Sequence, residues 1–516
     1  MANVDFLRAL AVLSAGLLSV ATIFLLLKKP SLLTRFATVT SIGWLIVFSW
    51  PVALFGSNFV FGAVSRVFFF CVMFLPPLVL LLWAWLRGFP NCREDEFGEQ
   101  IDLRKKLDFS VWGLAILGAI ILVWPMGIVP VIVLLVICIP SLLYLLWVGL
   151  RRRPPAGQRK IAHRVSARGM IEVSAWTLGI AGTAILVSSL GFANLAAVVA
   201  VFDPDNSYNA REQNIKLNPS NSAWFAWGLV INVFLPIAAA LAGLRLISGI
   251  QTRKMMSSIA ASSAILFLHP LALTTGAKGN LIPLYIGLVA ALIYGLQSKW
   301  RSGLALLLVG CSGLLGLAVW SAYAERPSSA SEGNTGAIVA IPAFVERTSD
   351  FTAGVIRRGL VVPSEVALQN MRFAEEEAKL DLAILPFFPF AKSDINVASE
   401  VARIYQPDTF ANFPLSTAPT SSIILLPAHL GIFGLAIALA LLIVLDEVLA
   451  RLTRGRDRMM SALSLALVGV MAYLTLVSEF QTIIIAHGGA GIFVALVAFS
   501  AIRQVILRAK PDDARV

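Results

Sequence analysis

Residues 422–446 read SIILLPAHLGIFGLAIALALLIVLD, an apolar run that contains Pro427, His429 and two glycines and meets its first acid at Asp446. A run of about 20 apolar residues matches the hydrocarbon core of a bilayer when it is helical. Similar runs recur along the chain, and in lipid a helix satisfies all of its own backbone hydrogen bonds. The sequence therefore predicts an all-α protein, a polytopic bundle of membrane helices.

The composition of the whole chain agrees with this prediction. Of 516 residues, 58% are hydrophobic and only 14% are charged, and the mean hydropathy is +0.83. Soluble domains carry about a quarter charged residues, so a soluble enzyme, a disordered protein and a disulfide scaffold are excluded. The four cysteines have neither disulfide nor zinc spacing. The net charge of +12 is interpreted as a signal of span orientation, not of nucleic-acid binding.

The apolar runs predict about thirteen transmembrane helices. They lie near 6–27, 36–55, 62–86, 109–125, 128–150, 171–202, 224–247, 257–275, 281–297, 303–322, 422–446, 459–478 and 482–503. The run at 171–202 is longer than one span needs, which predicts a tilt, a break or an interfacial start. The N-terminus lacks the basic segment of a cleaved signal, so the first span is expected to be retained.

Basic residues in the short loops predict the orientation of these spans. The loop 151–169 carries seven Lys and Arg residues and no acid, and such loops stay in the cytoplasm. Counting spans outward from it places the other basic loops on the same side, the N-terminus outside and the C-terminus in the cytoplasm. Those other basic positions are Lys28, Lys29, Arg35, Arg253, Lys254, Lys299, Arg301, Arg451, Arg454, Arg456 and Arg458.

The chain is predicted to divide into transmembrane helices 1–10 (residues 1–322), a large periplasmic loop (323–421), and transmembrane helices 11–13 with a cytoplasmic tail (422–516). A loop of roughly a hundred residues is too long for a connector and is usually functional. We expect it to form a small helical cap on the outer mouth of the bundle. No internal repeat is evident, which gives no support to an inverted-repeat transporter.

Two amphipathic helices are predicted inside this loop. Ser364 and Ser393 are expected to cap them. Residues three or four positions apart share a helix face, so one face of each helix is expected to be apolar. These faces consist of Ala367, Met371, Ala374 and Ala378 in the first helix, and of Val397, Val401 and Ile404 in the second.

Outward-facing cations are the first candidates for a site. Lys278 lies in Thr-Thr-Gly-Ala-Lys-Gly-Asn (274–280), a Gly-rich turn between two spans. It is a candidate for a phosphate or anion contact, supported by backbone N–H groups at the start of the next helix. The alternative is an interfacial lysine that snorkels to lipid headgroups. Arg347, Arg357 and Arg358 are further candidates, because arginine binds pyrophosphate bidentately; pairing with neighbouring acids or lipid is the alternative.

Histidines supply the other candidates. His429, near the predicted outer end of the eleventh span, is a candidate base or anion ligand. His163 is expected at the surface of the basic loop. His269 precedes Pro270 and is expected to make a structural hydrogen bond at a kink, and His487 precedes two glycines where close helix packing is expected.

The order of these features resembles one bacterial family. A span ends in Thr-Gly-Ala-Lys-Gly (275–279), two spans and a long outer loop follow, and Pro-Thr-Ser-Ser-Ile (419–423) leads to Gly-Ile-Phe-Gly (431–434). This pattern, over roughly 257–446, resembles the O-antigen ligase and Wzy-type oligosaccharide repeat-unit polymerase superfamily. That family usually has Arg where this chain has Lys278, and its ligases have His where this chain has Thr420. The likeness therefore favours the polymerase branch, or an unassigned branch, over the ligases.

The resemblance implies a metal-independent glycosyl transfer without cofactors at the outer face of the bacterial inner membrane. The donor would be an undecaprenyl-pyrophosphate-linked oligosaccharide and the acceptor another lipid-linked repeat unit. Membrane lipid and a chain-length regulator protein are the implied partners, and no nucleic acid is expected. His429 and Glu365 are the candidate bases, and Lys278 with the three arginines would stabilise the phosphate charge. A flippase for lipid-linked glycans and an O-antigen ligase are the alternatives.

Overall fold

The computed structural model describes residues 2–28, 35–55, 66–87, 159–196, 198–199, 210, 221–275, 278–295, 362–377, 397–405, 421–453, 458–478, 483 and 487–508. The helices are α1 (Ala2–Lys28), α2 (Phe36–Trp44, a π turn at Leu45–Ser49, and Trp50–Phe55), α3 (Arg66–Arg87), α4 (Arg159–Leu190), α5 (Asn221–Leu229, a π turn at Val230–Phe234, and Leu235–Gln251), α6 (Met255–Ala272), α7 (Leu281–Gly295), α8 (Val362–Glu377), α9 (Val397–Tyr405), α10 (Ser422–Thr453), α11 (Arg458–Val477) and α12 (Gly489–Arg508). Single 3₁₀ turns occur at Phe192–Asn194 and Lys278–Asn280.

Seven helices in the described part of the chain are long and apolar enough to cross a membrane, and three shorter apolar helices accompany them. Their exposed faces carry large apolar side chains such as Phe24, Phe267 and Phe433, the last of which is 77% exposed. Exposure of such apolar faces to water is unfavourable, whereas contact with lipid is not. These helices support the prediction of an all-α membrane protein. The spans predicted at 109–125, 128–150 and 303–322 lie outside the described residues, so the total of about thirteen stays a prediction.

Two helix boundaries differ from the predicted spans. α4 begins at Arg159, well before residue 171, and ends at Leu190 because Gly191 has a φ of +81°. Of the three alternatives for this over-long run, the structure shows a break, at Gly191. α12 begins at Gly489 instead of 482, because Gly488, with a φ of +68°, interrupts the backbone just before it.

The chain forms two compact units. The first comprises Met1–Pro90, Ala318–Ala450 and Met471–Ile484, and the second comprises Asn91–Leu317, Arg451–Val470 and Ile485–Val516. In the first unit, α1, α2 and α3 pack together, and α8 packs against the π turn of α2 and against α9. In the second unit, α5 is the buried centre and packs against α4, α6 and α7.

Prolines inside the spans of the first unit determine some of its polar contacts. An α-helix would pair the carbonyl of Met73 with the amide of residue 77, but Pro77 has no N–H. That carbonyl instead accepts hydrogen bonds from Ser49 Oγ at 2.8 Å and Trp44 Nε1 at 3.1 Å. A buried carbonyl needs a donor, so side chains of α2 replace the missing amide of α3 and attach the two helices to each other.

The predicted helices of the large loop are present in part. α8 buries Ala367, Met371 and Ala374, so its predicted apolar face is confirmed up to the end of the described residues. The predicted cap is wrong, because Ser364 lies inside the helix and donates its hydroxyl to the distant carbonyl of Val47. In α9 the predicted face is partly wrong. Val401 is buried against α8, but Ile404 is 38% exposed.

Candidate functional site

The glycine pair of Gly-Ile-Phe-Gly (431–434) lies at a break in α10. Gly431 has φ +59° and ψ −138°, so this long helix consists of two segments that meet there. A positive φ of this kind is accessible to glycine and costly for residues with a Cβ. The motif therefore marks an irregular backbone within an apolar helix.

Gly434 permits the close approach of the two segments. A Cβ at this position would lie well inside van der Waals contact with the carbonyl oxygen of Leu426, in the segment before the break. The approach therefore depends on the absence of a side chain. The backbone geometry therefore requires glycine at both 431 and 434.

Replacing Gly434 by alanine is expected to lower the free energy of unfolding by about 1–3 kcal/mol, because the new methyl group overpacks the break. Gly16→Ala is the matched control, since a Cβ there has no neighbour within 4 Å. That change is expected to be neutral or stabilising by up to about 1 kcal/mol. Thermal unfolding of the detergent-solubilised variants measures both, and equal midpoints would contradict the close approach.

The start of α10 is fixed by Ser421. Its Oγ accepts the amide of Ile423 at 3.1 Å and donates to the carbonyl of Thr475. Ser421 is therefore a helix N-cap. It also attaches the start of α10 to the last turn of α11, which contains Thr475. The adjoining Thr420 lies outside the described residues.

The two candidate bases both belong to the first unit. His429 is half-buried in α10, two residues before the break at Gly431. Glu365 is half-buried in the first turn of α8, next to the buried Ser364. Either side chain has the chemistry to take a proton from a sugar hydroxyl.

Lys278 lies in the second unit, in the 3₁₀ turn Lys278–Asn280 that leads directly into α7. The chain before this turn is held by Thr274, whose Oγ1 donates to the carbonyl of Leu271 at 2.7 Å. Asn280 Nδ2 donates to Thr275 Oγ1 at 3.4 Å, across the turn. The first amides of a helix have no partner within the helix, and Lys278 immediately precedes the start of α7. An anion contact at Lys278 stays a prediction.

His269 makes structural hydrogen bonds, as expected. Its Nδ1 lies 2.8 Å from the carbonyl of Ile265 and its Nε2 lies 3.0 Å from the hydroxyl of Tyr285. Both ring nitrogens are therefore engaged, and the contact joins α6 to α7 beneath the turn that carries Lys278. The carbonyl of His487 accepts from Asn232 Nδ2 at 2.8 Å, and Gly488 lies close to the backbone of Gly228, so close packing is confirmed there.

A buried charged network was not predicted. Asp446 is fully buried and accepts hydrogen bonds from Arg35 Nη2 at 2.6 Å and Nε at 3.1 Å, and from Trp83 Nε1 at 3.1 Å. Its other oxygen accepts the amide of Ala37 at 2.9 Å. Arg35 is only 4% exposed and also lies 3.6 Å from Glu447. The network connects the start of α2 with the last turns of α3 and α10.

Arg347, Arg357 and Arg358 lie outside the described residues. Glu365 and His429 share the first unit, whereas Lys278 is in the second. The sequence signal that would have revealed the buried network is the pair Asp446–Glu447, two adjacent acids near the end of an otherwise apolar helix.

The fold and these contacts define the class: the described chain is helical, with several helices suited to a membrane. Comparison with models of known protein families, with curated proteins and with solved structures finds no match.

Proposed function

We propose that this protein is an inner-membrane polysaccharide polymerase. It would transfer a glycan from an undecaprenyl-pyrophosphate carrier to a lipid-linked acceptor at the periplasmic face. The observation that carries the proposal is the break in α10 at Gly431, two residues after the half-buried His429. Gly-Ile-Phe-Gly (431–434) thus coincides with irregular backbone and a titratable side chain inside an apolar helix. Irregular backbone at membrane depth is tolerated where it is buried in protein or lines a water-filled cavity.

The reaction needs few groups. An acceptor hydroxyl oxygen forms a bond to the anomeric carbon of the donor sugar while the bond from that carbon to the pyrophosphate oxygen breaks. The hydroxyl proton passes to a base, for which His429 and Glu365 are the candidates. Undecaprenyl pyrophosphate is the leaving group, and the candidates to stabilise its charge are Lys278 and the arginines of the large loop. Neither a nucleotide sugar nor a metal enters the proposed reaction.

A reconstituted system tests the proposal. The purified protein would be placed in vesicles with a synthetic undecaprenyl-pyrophosphate oligosaccharide, and the lipid-linked products separated by size. A polymerase produces a ladder spaced by one repeat unit. Products of unchanged size would contradict the proposal.

A lipid-linked glycan flippase is the second candidate, because broken helices also form substrate sites in transporters. In the same vesicles a flippase would move the oligosaccharide to the opposite leaflet without lengthening it. A ligase would instead transfer the glycan to lipid A or to a protein, and adding such an acceptor to the vesicles detects that outcome.

Arg357 and Arg358 give a prediction within the large loop. The double change Arg357→Ala, Arg358→Ala is expected to slow polymerisation at least about tenfold, since a hydrogen bond to a charged group contributes about 1.5–3 kcal/mol. Arg403→Ala is the control, because Arg403 pairs with Glu400 on the exposed side of α9. A double variant as active as the Arg403→Ala variant would assign the two arginines to lipid or to salt bridges.

A further inference from the structure

Helix α8 of the large loop contacts the interior of a membrane span. Ser364, in its first turn, is fully buried and donates its hydroxyl to the carbonyl of Val47 at 2.8 Å. Val47 lies in the π turn of α2, eight residues before Phe55 and eleven after Phe36. At a rise of 1.5 Å per residue, that carbonyl is about 12 Å from the nearer end of the span. This depth does not depend on which end faces the periplasm.

The sequence of α2 explains why the hydroxyl binds there. An α-helix would pair the carbonyl of Val47 with the amide of residue 51, and Pro51 has no N–H. Inside a membrane no water replaces the missing donor. Ser364 supplies one, as Ser49 does for the carbonyl of Met73. The contact therefore supplies a donor to a carbonyl whose α-helical partner, residue 51, has none.

The rest of α8 has the pattern of a packed helix. Ala367, Asn370 and Phe373 are almost fully buried along its length, and the side-chain Nδ2 of Asn370 donates to the carbonyl of Val366 within the helix. Phe373 also packs with Val401 of α9. The exposed carboxylates of α8, at 375 and 376, occur only in its last turn. A helix lying on the outer mouth of the bundle would not bury Ser364 against the middle of a span.

We propose that α8 is a re-entrant helix and that Ser364 is the positioning residue that anchors its first turn inside the membrane. Glu365, the next residue, is thereby held about 12 Å from the nearer end of this helix, measured along its axis. The role of Glu365 rests on the proposed function, whereas its depth does not. A carboxylate at that depth meets a glycan only in a cleft of the bundle. The acceptor sugar of the proposed reaction would therefore have to enter the bundle for Glu365 to take its proton.

Fluorescence quenching measures the depth directly. A fluorophore would be attached to a single cysteine at position 365, in a variant whose four native cysteines are replaced by alanine. The vesicles would contain lipids with a nitroxide either on the headgroup or deep in the acyl chain. Ile46, beside Val47, is the deep standard, and Met256, in the first turn of α6, is the shallow standard; both are exposed.

The label at 365 is expected to be quenched more by the acyl-chain nitroxide, as at position 46. Quenching that matches position 256 would overturn the proposal. Because the label replaces a side chain of α8, a second measurement uses no label. Ser364→Ala is expected to lower the thermal midpoint by a few degrees in the native background, and much less in a Pro51→Ala background, where residue 51 regains its N–H.

Equal losses in the two backgrounds would show that Ser364 does not replace the missing amide. Neither measurement uses activity, so a protein that makes no polymer leaves both results valid. Where polymer forms, a positioning role predicts that Ser364→Ala lowers kcat and that the added Pro51→Ala restores it. A loss that Pro51→Ala leaves unchanged would contradict the role.

Discussion

Replacing Asp446 by alanine is expected to destabilise the protein by about 3–5 kcal/mol, because removal of one partner leaves an uncompensated charge in a buried ion pair. The change would leave the buried guanidinium of Arg35 and the indole N–H of Trp83 without the acceptor that both now use. Glu447 lies 3.6 Å from Arg35, so part of the compensation remains. Unfolding of the purified protein in a denaturing detergent measures the loss.

Two controls separate the network from a general effect of removing charge. Glu172→Ala removes the partner of Arg245, whose side chain is half exposed, and a pair that water reaches contributes less than a buried one. The double change Arg35→Met, Asp446→Leu removes both buried charges and is expected to recover much of the stability. Equal losses in Asp446→Ala and Glu172→Ala would contradict a stabilising role for the network.

Replacing Lys278 by alanine is expected to slow polymerisation about 10²–10³-fold, the usual cost of losing one group that stabilises charge in a transition state. Insertion into the membrane should be unchanged, because Lys278 lies in a turn between α6 and α7. Lys278→Arg is expected to retain activity, since it keeps the charge and adds the bidentate geometry of the family's usual residue. Rates in vesicles at several substrate concentrations measure these effects.

Lys254→Ala is the matched control for Lys278. Lys254 is an exposed cation at the start of α6, at the end of the helix opposite to the turn that carries Lys278. Its removal is expected to leave the rate unchanged. If Lys278→Ala behaves in the same way, Lys278 is an interfacial lysine that contacts headgroups and has no part in the site.

Local pattern predicted the helices but not their distant partners. The apolar face of α8 through Ala367, Met371 and Ala374 follows from helical spacing and is buried as expected. The cap assigned to Ser364 is wrong because its hydroxyl donates to a distant carbonyl instead. Pro51 leaves the carbonyl of Val47 without an α-helical donor, and Val47 lies more than three hundred residues before Ser364. Nothing in the local sequence of α8 carries that information.

The same limit applies to the charges. The charge pattern of the sequence treats Arg35 as a loop cation that indicates orientation, whereas in the structure it pairs with Asp446, 411 residues further along the chain. Helical spacing relates residues within one element and is silent on such pairs. In the sequence the glycine pair at 431 and 434 contributes only to the family resemblance, and the break appears in the positive φ of Gly431.

The most direct test of the proposed function compares the amount of carrier released with the number of glycosidic bonds formed. Vesicles that contain the protein and the lipid-linked oligosaccharide would be assayed for released undecaprenyl pyrophosphate and for glycosidic bonds formed. The proposed reaction predicts one carrier released for each repeat unit joined. Two results would contradict it. One is movement of the glycan across the bilayer without release of the carrier, and the other is release of the carrier by hydrolysis without a new glycosidic bond.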